Sequence, residues 1–551
     1  TQSWGNTHTH STRRNMLTEQ QPGLSVDDAF EFACRLRADP MLMNDPGEAV
    51  EHSDAPWPFK VYEGGERLQL AGAGPWWLES HAGESDDLVT RLGALLFKTV
   101  ACSRVRFQPG GTMLSSPQHP ELVWPTSRLS VRRPVPSGGA MYPTEVYVAA
   151  PLSLRGAPTF YHYDPARHEL TNLAYQRVTA SLRKALNLVD DAPLSPLALI
   201  LTHRFSKNLH KYKNFAYRLG AVDVGVVLGR FVTCGRELSH DVKVHVDFDD
   251  AVLNAMCGIS GYDDESAYAV ILLGEPQAVP SVEIDLSFAT PRLIERGVPA
   301  HPSSLFVAMH AAACRHPSDL QFKRKCSPHE LDKSDDLPVP LHLDPLPAPG
   351  PDVTSNNKAL MCRTSNGSWF TGATLATDVL ATVLYRTYEA VTTLRAICGD
   401  GDLPVVRLYC AVDRVDQIEP GWYRYLPDRH SLALVGRATS PATELQSALY
   451  AATVDVERSA FSLHVATVID FRSDPRGVRA YRVQQFLVGA AIEAATRWSA
   501  AMGIGSHPLH GFDARRVDKC YGLSGDAFGV QAQVSIGSAR ASGSLEGSVI
   551  A

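Results

Sequence analysis

The sequence predicts an α+β protein built twice over: two like halves in one chain, each a sheet packed on helices. Three observations carry this prediction. The first is a duplication that keeps register. Tyr147 in EVYVAA (Glu145 to Ala150) and Tyr409 in RLYCAV (Arg407 to Val412) stand 262 positions apart, as do Tyr161 in YHYDPARHEL and Tyr423 in YRYLPDRHSL. AYRLGAVDVG (Ala216 to Gly225) and AYRVQQFLVG (Ala480 to Gly489) stand 264 apart. That second offset holds through Phe248 and Phe512 to Gly258-Ile-Ser-Gly261 and Gly522-Leu-Ser-Gly525. Chance likeness of short strings does not keep register so long. The second observation is that both copies run in the same order of patterns: apolar strand, hairpin, long helix, final strand ending in glycine. The third is DLPVPLHLDPLPAPGPDV (Asp336 to Val353) between them, whose prolines exclude helix and sheet interiors and favour an extended connector.

Along the chain, residues 1–24 are polar and read as a flexible tail. Residues 25–85, with AFEFACRLRADP and PFKVYEGGERLQL, form an N-terminal region and a candidate docking surface for substrate. The first half spans 86–280, a connector with the proline-rich linker spans 281–355, and the second half spans 356–551. In each half the strand (VYVAA; RLYCAV) leads into a hairpin whose Tyr-x-Tyr and turn residues flank Pro-x-Arg-His. A long helix starts near Tyr217 or Tyr481. The second of these is rich in Ala and Gly along its length, as expected where one helix packs closely on another inside a core.

Composition narrows the functions open to such a chain. Its 551 residues, 44% hydrophobic and 20% charged, describe a globular protein rather than a collagenous or disordered one. A net charge of −7 gives no electrostatic footing for nucleic acid or an anionic membrane, so the ligand is expected to be small or a peptide. The ten cysteines are scattered without C-x-x-C or close Cys/His spacing, which reads as reduced thiols and no metal site. No apolar stretch approaches the ~20 residues of a membrane span, and a cytoplasmic location is expected.

Four segments stand out chemically: PSGGAMYPTEVYV (Pro136 to Val148), Lys211-Tyr212 just before the first long helix, RTSNGSWF (Arg363 to Phe370), and MGIGSHPLHGFD (Met502 to Asp513). Their order, together with the duplication, resembles the flavin-dependent nitroreductase fold, and more narrowly the SagB/McbC-type azoline oxidases that make thiazoles and oxazoles. That resemblance implies FMN held between two copies of the fold, each copy giving groups to the other's flavin. Here both copies lie in one chain, an intramolecular pseudo-dimer.

The two halves have kept complementary parts of the pattern. A phosphate needs fixed cations and backbone N–H donors, and the second half offers Arg363-Thr364-Ser365, the glycines Gly503, Gly505 and Gly511, Ser506, His510 and Arg540. Arg363 stands in the family's Arg-Arg-Ser motif, with Cys362 in place of its first arginine. The registered first-half positions of the three glycines are Ser239, Asp241 and Asp247, and Glu275 aligns near Ser538, so that half would repel an anion. Conversely, Pro136-Ser137-Gly138-Gly139 resembles the loop along the partner's flavin ring, where the second half reads Cys398-Gly399-Asp400-Gly401. Lys211-Tyr212 has Pro475-Arg476 as its counterpart. Arg132-Arg133 reads as a loop charge pair, and His8 and His10 as tail residues. The expectation is one composite site per chain and one degenerate, empty pseudo-equivalent.

By the same resemblance the substrate is an azoline on a ribosomal precursor peptide or a carrier-bound peptide, delivered in company with a cyclodehydratase or synthetase. Loss of the ring α-proton and of a hydride from the neighbouring carbon gives an aromatic azole, with dioxygen as terminal acceptor. A base must be held at the α-proton, and Lys211 and Tyr212 take that role as a pair. Two other readings stay open: an NAD(P)H-dependent nitroreductase or quinone reductase, and a non-catalytic peptide-binding scaffold.

Overall fold

A computed structural model describes residues 24–38, 56–70, 88–108, 128–152, 159–238, 241–260, 264–278, 291–294, 301–320, 341–342, 347, 361, 363–367, 369–398, 403–451, 454–523, 527–540 and 545–548. The tail, most of the proline-rich connector, Ser239 and Gly399 to Gly401 lie outside them.

The helices are α1 (Val26–Ala38), α2 (Leu88–Val100), α3 (Val178–Ala185), α4 (Phe205–Tyr212), α5 (Ala216–Leu238), α6 (Asp250–Met256), α7 (Ser304–Ala313), α8 (Pro317–Leu320), α9 (Thr377–Ala396), α10 (Pro441–Ala448), α11 (Arg479–Ala501) and α12 (Ala514–Cys520). Each half has one seven-stranded sheet. In the first half it is built from β2 (Arg67–Gln69), β5 (Thr144–Ala150), β6 (Thr159–Asp164), β7 (Glu169–Asn172), β8 (Leu197–Arg204), β9 (Val242–His245) and β10 (Glu265–Leu273), in the order β2-β7-β6-β5-β8-β10-β9. The second uses β12 (Leu341–His342), β13 (Val406–Val412), β14 (Gly421–Leu426), β15 (Ser431–Arg437), β16 (Phe461–Val468), β17 (Gly505–Leu509) and β18 (Phe528–Gly537), in the order β12-β15-β14-β13-β16-β18-β17. The two orders are the same permutation, and the pairings are antiparallel in both. Even the β-bulge recurs, at Tyr268 on β10 and Gln531 on β18.

The duplication reaches beyond the registered sequence. Residues 67–69 and 341–342 each supply the edge strand of one sheet, and α1 and α7 each pack across the seam between halves. Arg218 on α5 donates to the Leu36 carbonyl of α1, while Arg482, its registered counterpart on α11, donates to the His310 carbonyl of α7.

The halves meet along α5 and α11, which are buried on nearly every face. Among the charged side chains buried with them, Arg230 is paired with Glu493 and Arg479 with Asp250. Two glycines permit the contact: a Cβ on Gly225 would stand 2.4 Å from the Phe486 carbonyl, and one on Gly489 would stand 2.2 Å from the Val222 carbonyl. Both pairs, Gly225 with Gly489 and Val222 with Phe486, are related by the 264-residue offset, so the crossing is a pseudo-twofold axis. Tyr217 stacks on its counterpart Tyr481 with ring centroids 6.3 Å apart. An ion pair from Arg230 to Glu493 bridges the helices off the axis. A three-stranded sheet, β19 (Leu545–Ser548), β3 (Arg104–Gln108) and β4 (Arg128–Arg132), ties the last strand to the first half, and β1 (Val61–Glu63) pairs with β11 (Arg292–Ile294).

Among the described residues, no cysteine is in a disulfide, no His/Cys/Asp/Glu group has metal-site geometry, and no helix is long and apolar enough to cross a membrane.

Candidate functional site

Two groups of the singled-out residues come together across the seam. The first group lies on the first half. The Pro136 to Gly139 loop sits against the start of α5, where a Cβ on Gly138 would meet the Leu219 side chain at 2.5 Å. Gly139 has φ +58° and faces the end of α4: a Cβ there would stand 2.4 Å from Tyr212 Oη and 3.0 Å from Lys211 Nζ. Any side chain at this position would displace the pair. Lys211 Nζ itself lies 5.1 Å from the Tyr212 ring centroid. Burial, and after it the charge of Asp223, push the Tyr212 phenol well above its usual pKa. The counterpart of α4 in the second half is no helix but a turn closed by the Arg476–Asp474 ion pair.

Asp223 is a residue that the motifs did not flag. Its carboxylate accepts from Ser137 Oγ at 2.7 Å and from the Gly138 N–H at 3.1 Å, and Ser137 Oγ in turn accepts from the Tyr142 N–H. Burial pushes the Asp223 carboxyl up to about 7. A legible sign was present: Asp223 is a lone carboxylate in an apolar stretch whose registered partner is Leu487.

The second group lies on the second half. Residues 363–367 run beside β17, joined by the Ser365–Ser506 bridge and by the Asn366 N–H donating to the Ser506 carbonyl at 3.1 Å. Gly505 is required here, since a Cβ on it would stand 2.5 Å from Ala539. The Gly367 N–H donates to His507 Nδ1, which is held neutral as burial and then the Arg363 charge lower it to about 4. Thr364 Oγ1 contacts Asn366 Oδ1 at 3.4 Å. Arg540 is exposed, and its N–H donates to the Trp369 carbonyl at 2.9 Å. Gly503, φ +72°, ends α11, and around both Gly503 and Gly511 the space a Cβ would occupy is open.

Arg363 joins the two groups. It is 5% exposed, donates from Nε to the Pro134 carbonyl at 3.1 Å, and receives Arg104 Nη2 on its own carbonyl at 2.6 Å. Burial first, and then the charges of Arg104, Arg230 and Arg132, lower it to about 10. So dense a buried cationic group favours an anion, and with the open backbone at Gly503 and Gly511 it fits a phosphate-bearing cofactor. A second link is His510, whose Nδ1 faces the Gln531 carbonyl at 3.3 Å; Arg218 of α5 donates to that same carbonyl, and burial with the Arg218 charge lowers His510 to about 3.

The pseudo-equivalent region is filled by the chain itself. Asp247, the counterpart of Gly511, pairs with Arg315 at 3.2 Å. Asp250 binds Arg479, and Arg482 reaches His310 Nδ1 at 2.9 Å. Of the carboxylates expected to repel an anion, Asp247 is thus committed to an arginine, and Asp250, which is not one of them, is committed to another.

No family model matches the chain. The microcin B17-processing protein McbC of Escherichia coli is 30% identical over 128 residues, which are 22% of this chain and 47% of that protein. The trifolitoxin-processing protein TfxB of Rhizobium leguminosarum bv. trifolii is 23% identical over 147 residues, 26% of this chain and 39% of that protein. The chain thus spans less than half the length of these two curated relatives. Among solved structures, a protein assigned as a nitroreductase from Anabaena variabilis superposes with a TM-score of 0.70 over 94% of this chain and 100% of its own, at 20% identity. The chain therefore has the α+β nitroreductase-like fold, and about a quarter of it is similar in sequence to the processing proteins McbC and TfxB.

Proposed function

We propose that this protein is an FMN-dependent azoline oxidase acting on peptide-borne thiazoline or oxazoline rings. The observation that carries the reading is the convergence at one loop: Gly139 packs beneath Lys211 Nζ and Tyr212 Oη, while Arg363 of the other half holds the same loop at Pro134. The homology to two proteins named for processing a microcin and trifolitoxin supports a peptide substrate.

In this reading Arg363, Thr364, Ser365, Ser506 and Arg540 hold the FMN phosphate, with backbone approach at Gly503, Gly505 and Gly511. The Pro136 to Gly139 loop and His510 line the ring. When bound, FMN supplies a two-electron acceptor for the hydride, and dioxygen is the terminal oxidant. The chain's own task is the proton. Tyr212 keeps its phenolic proton near neutral pH, because burial and the Asp223 charge oppose the phenolate. It is therefore suited to donate a hydrogen bond, and Lys211, exposed beside it, is the group assigned to take the azoline α-proton. Arg476, in the ion-paired turn of the second half, has no part in it.

The test is mass spectrometry of azoline peptides incubated with the FMN-loaded protein. Loss of two hydrogens per ring is expected. Unchanged peptide mass, together with rapid flavin reduction by NAD(P)H in stopped flow, would instead make the protein a reductase of the nitroreductase type.

A further inference from the structure

We infer that Asp223 is a positioning residue of this site: from the central helix α5 its carboxylate holds the Ser137 to Tyr142 loop in the one conformation that fits beneath Lys211 and Tyr212. The inference rests on the azoline-oxidase reading for its consequence in catalysis, and on the geometry alone for the clamp itself.

The loop needs holding. Ala140 and Tyr142 carry φ of +56° and +48°, in the left-handed region that side-chain-bearing residues rarely adopt, on either side of Met141 and directly after Gly139 at +58°. Such a backbone persists only where its surroundings over-determine it. Asp223 supplies two of the restraints, to Ser137 Oγ and the Gly138 N–H, and through Ser137 Oγ a third to the Tyr142 N–H. From the far side Tyr142 is fixed by Lys207 Nζ, which donates to its carbonyl at 2.7 Å, and by the Arg133 N–H, which donates to its hydroxyl at 3.2 Å.

The duplication separates this role from a need of the fold. Leu487 occupies the same position of α11, in a helix of the same length with the same glycine crossing. A leucine therefore satisfies the helix packing, and the carboxylate answers to the Ser137 to Tyr142 loop, whose Pro-Ser-Gly-Gly stands where the second half's sequence reads Cys398-Gly399-Asp400-Gly401. Burial makes it costly as well: a buried ionised group opposes folding unless its hydrogen bonds offset the desolvation. A residue kept at such a position against a leucine that packs is one retained for the site.

The test uses the full-length, FMN-loaded chain with Asp223→Leu, Asp223→Asn and Ser137→Ala. Asp223→Leu should melt no lower than wild type, while amide hydrogen exchange across 137–142 rises ~10-fold or more and azole formation per bound flavin falls ~10²-fold, as for a misplaced reacting group. Asp223→Asn, whose amide can still accept from Gly138, should lie between the two. Ser137→Ala combined with Asp223→Leu should add little to the poorer single change. The charged or titratable groups facing Asp223 are Tyr212 and Lys207 of α4. As the carboxyl titrates near 7, wild-type loop protection, corrected for intrinsic exchange, should fall as the pH drops from 8 to 6, and Asp223→Leu should not change.

Unaltered loop exchange in Asp223→Leu would overturn the clamp. Parallel collapse of melting temperature, flavin content and exchange throughout the molecule would equally overturn it, by making Asp223 a fold residue. Wild-type protein that oxidises no azoline while the loop responds as described would refute the azoline reading and leave the clamp standing.

Discussion

At the scale of the residue, the proposed site depends on a few groups at the seam, among them Tyr212, whose phenol burial holds protonated, and the exposed Lys211 beside it. Lys211→Ala and Tyr212→Phe should each reduce azole formation by ~10²–10⁴, the range for losing a positioned proton-transfer group. The double variant should fall little below the poorer single one, since the two act as a unit. Tyr212→Phe keeps the ring that packs near Phe215, so flavin content and melting temperature should hold. Arg476→Ala, at the registered position of Tyr212, should retain turnover; near wild-type rates in the Lys211/Tyr212 double variant would direct attention to His510. Arg363→Ala should release FMN, because a charge-assisted hydrogen bond to phosphate is worth roughly 1.5–3 kcal/mol. Unchanged flavin content would mean that the phosphate sits elsewhere.

Acid stability follows from the same burial. His203, His464 and His507 are lowered to about 4 and His510 to about 3, each chiefly by burial. Because their folded pKa values lie below the unfolded ~6.5, the unfolded chain takes up protons first, so their contribution is complete above about pH 6.5 and is lost as the pH falls towards 4. Asp223 has the opposite sign, since its raised pKa favours the fold most below about 4 and least above 7. His310 is lowered by burial as well, and Asp413, Asp455 and Asp518 are raised by it like Asp223; with five histidines against these four carboxyls, the melting temperature should drop between pH 6.5 and 4. A flat profile over that window would show that these rings are not buried neutral.

At the scale of the element, the central helices were the most legible part of the sequence. The repeated Ala-Tyr-Arg start and the Gly225/Gly489 register predict helices near 217 and 481, and α5 and α11 begin at Ala216 and Arg479. The reason is that a helix-to-helix contact at backbone distance admits few residue types, so it leaves a mark in the letters. Gly489→Val should therefore be severe: its Cβ would lie within 2.2 Å of the Val222 carbonyl, and overpacking against backbone costs at least about 1–3 kcal/mol. A melting temperature equal to wild type would contradict the crossing. The edge strands were not legible, because β2 and β12 are only three and two residues long and too short to show alternation. Nor was the Arg363 to Pro134 contact, which joins positions 229 residues apart through the fold of both halves. Asp223 falls between these cases: its contrast with Leu487 is visible in the repeat, but its partner at Ser137 depends on a loop conformation that no local pattern specifies.

At the scale of the whole molecule, the chain behaves as a dimer that cannot dissociate, and its two halves should prove inseparable and unequal. Residues 356–551 alone would expose the face of α11 that packs on α5, including Phe486 and Ala490, and would leave Glu493 without Arg230. The fragment would also lose α1, whose Arg37 pairs with Asp518 and donates to the Val530 carbonyl, and β3, the partner of its last strand. An apolar interface of this kind belongs to obligate dimers, in which folding and association are one process. The isolated fragment should be insoluble or self-associating, whereas co-expression with residues 1–355 should restore a soluble pair. On the proposed reading the restored pair, like the intact chain, should release one FMN on heating, since Arg363 and the open glycines would form one phosphate site, while Asp247 and Asp250 opposite are already bound by Arg315 and Arg479. A monodisperse flavin-loaded monomer of 356–551 would contradict the shared site, because Arg363 would then bind flavin without Pro134 or the Gly139 loop. Two flavins per chain would contradict it differently, since Asp247 and Asp250 would have to give up Arg315 and Arg479.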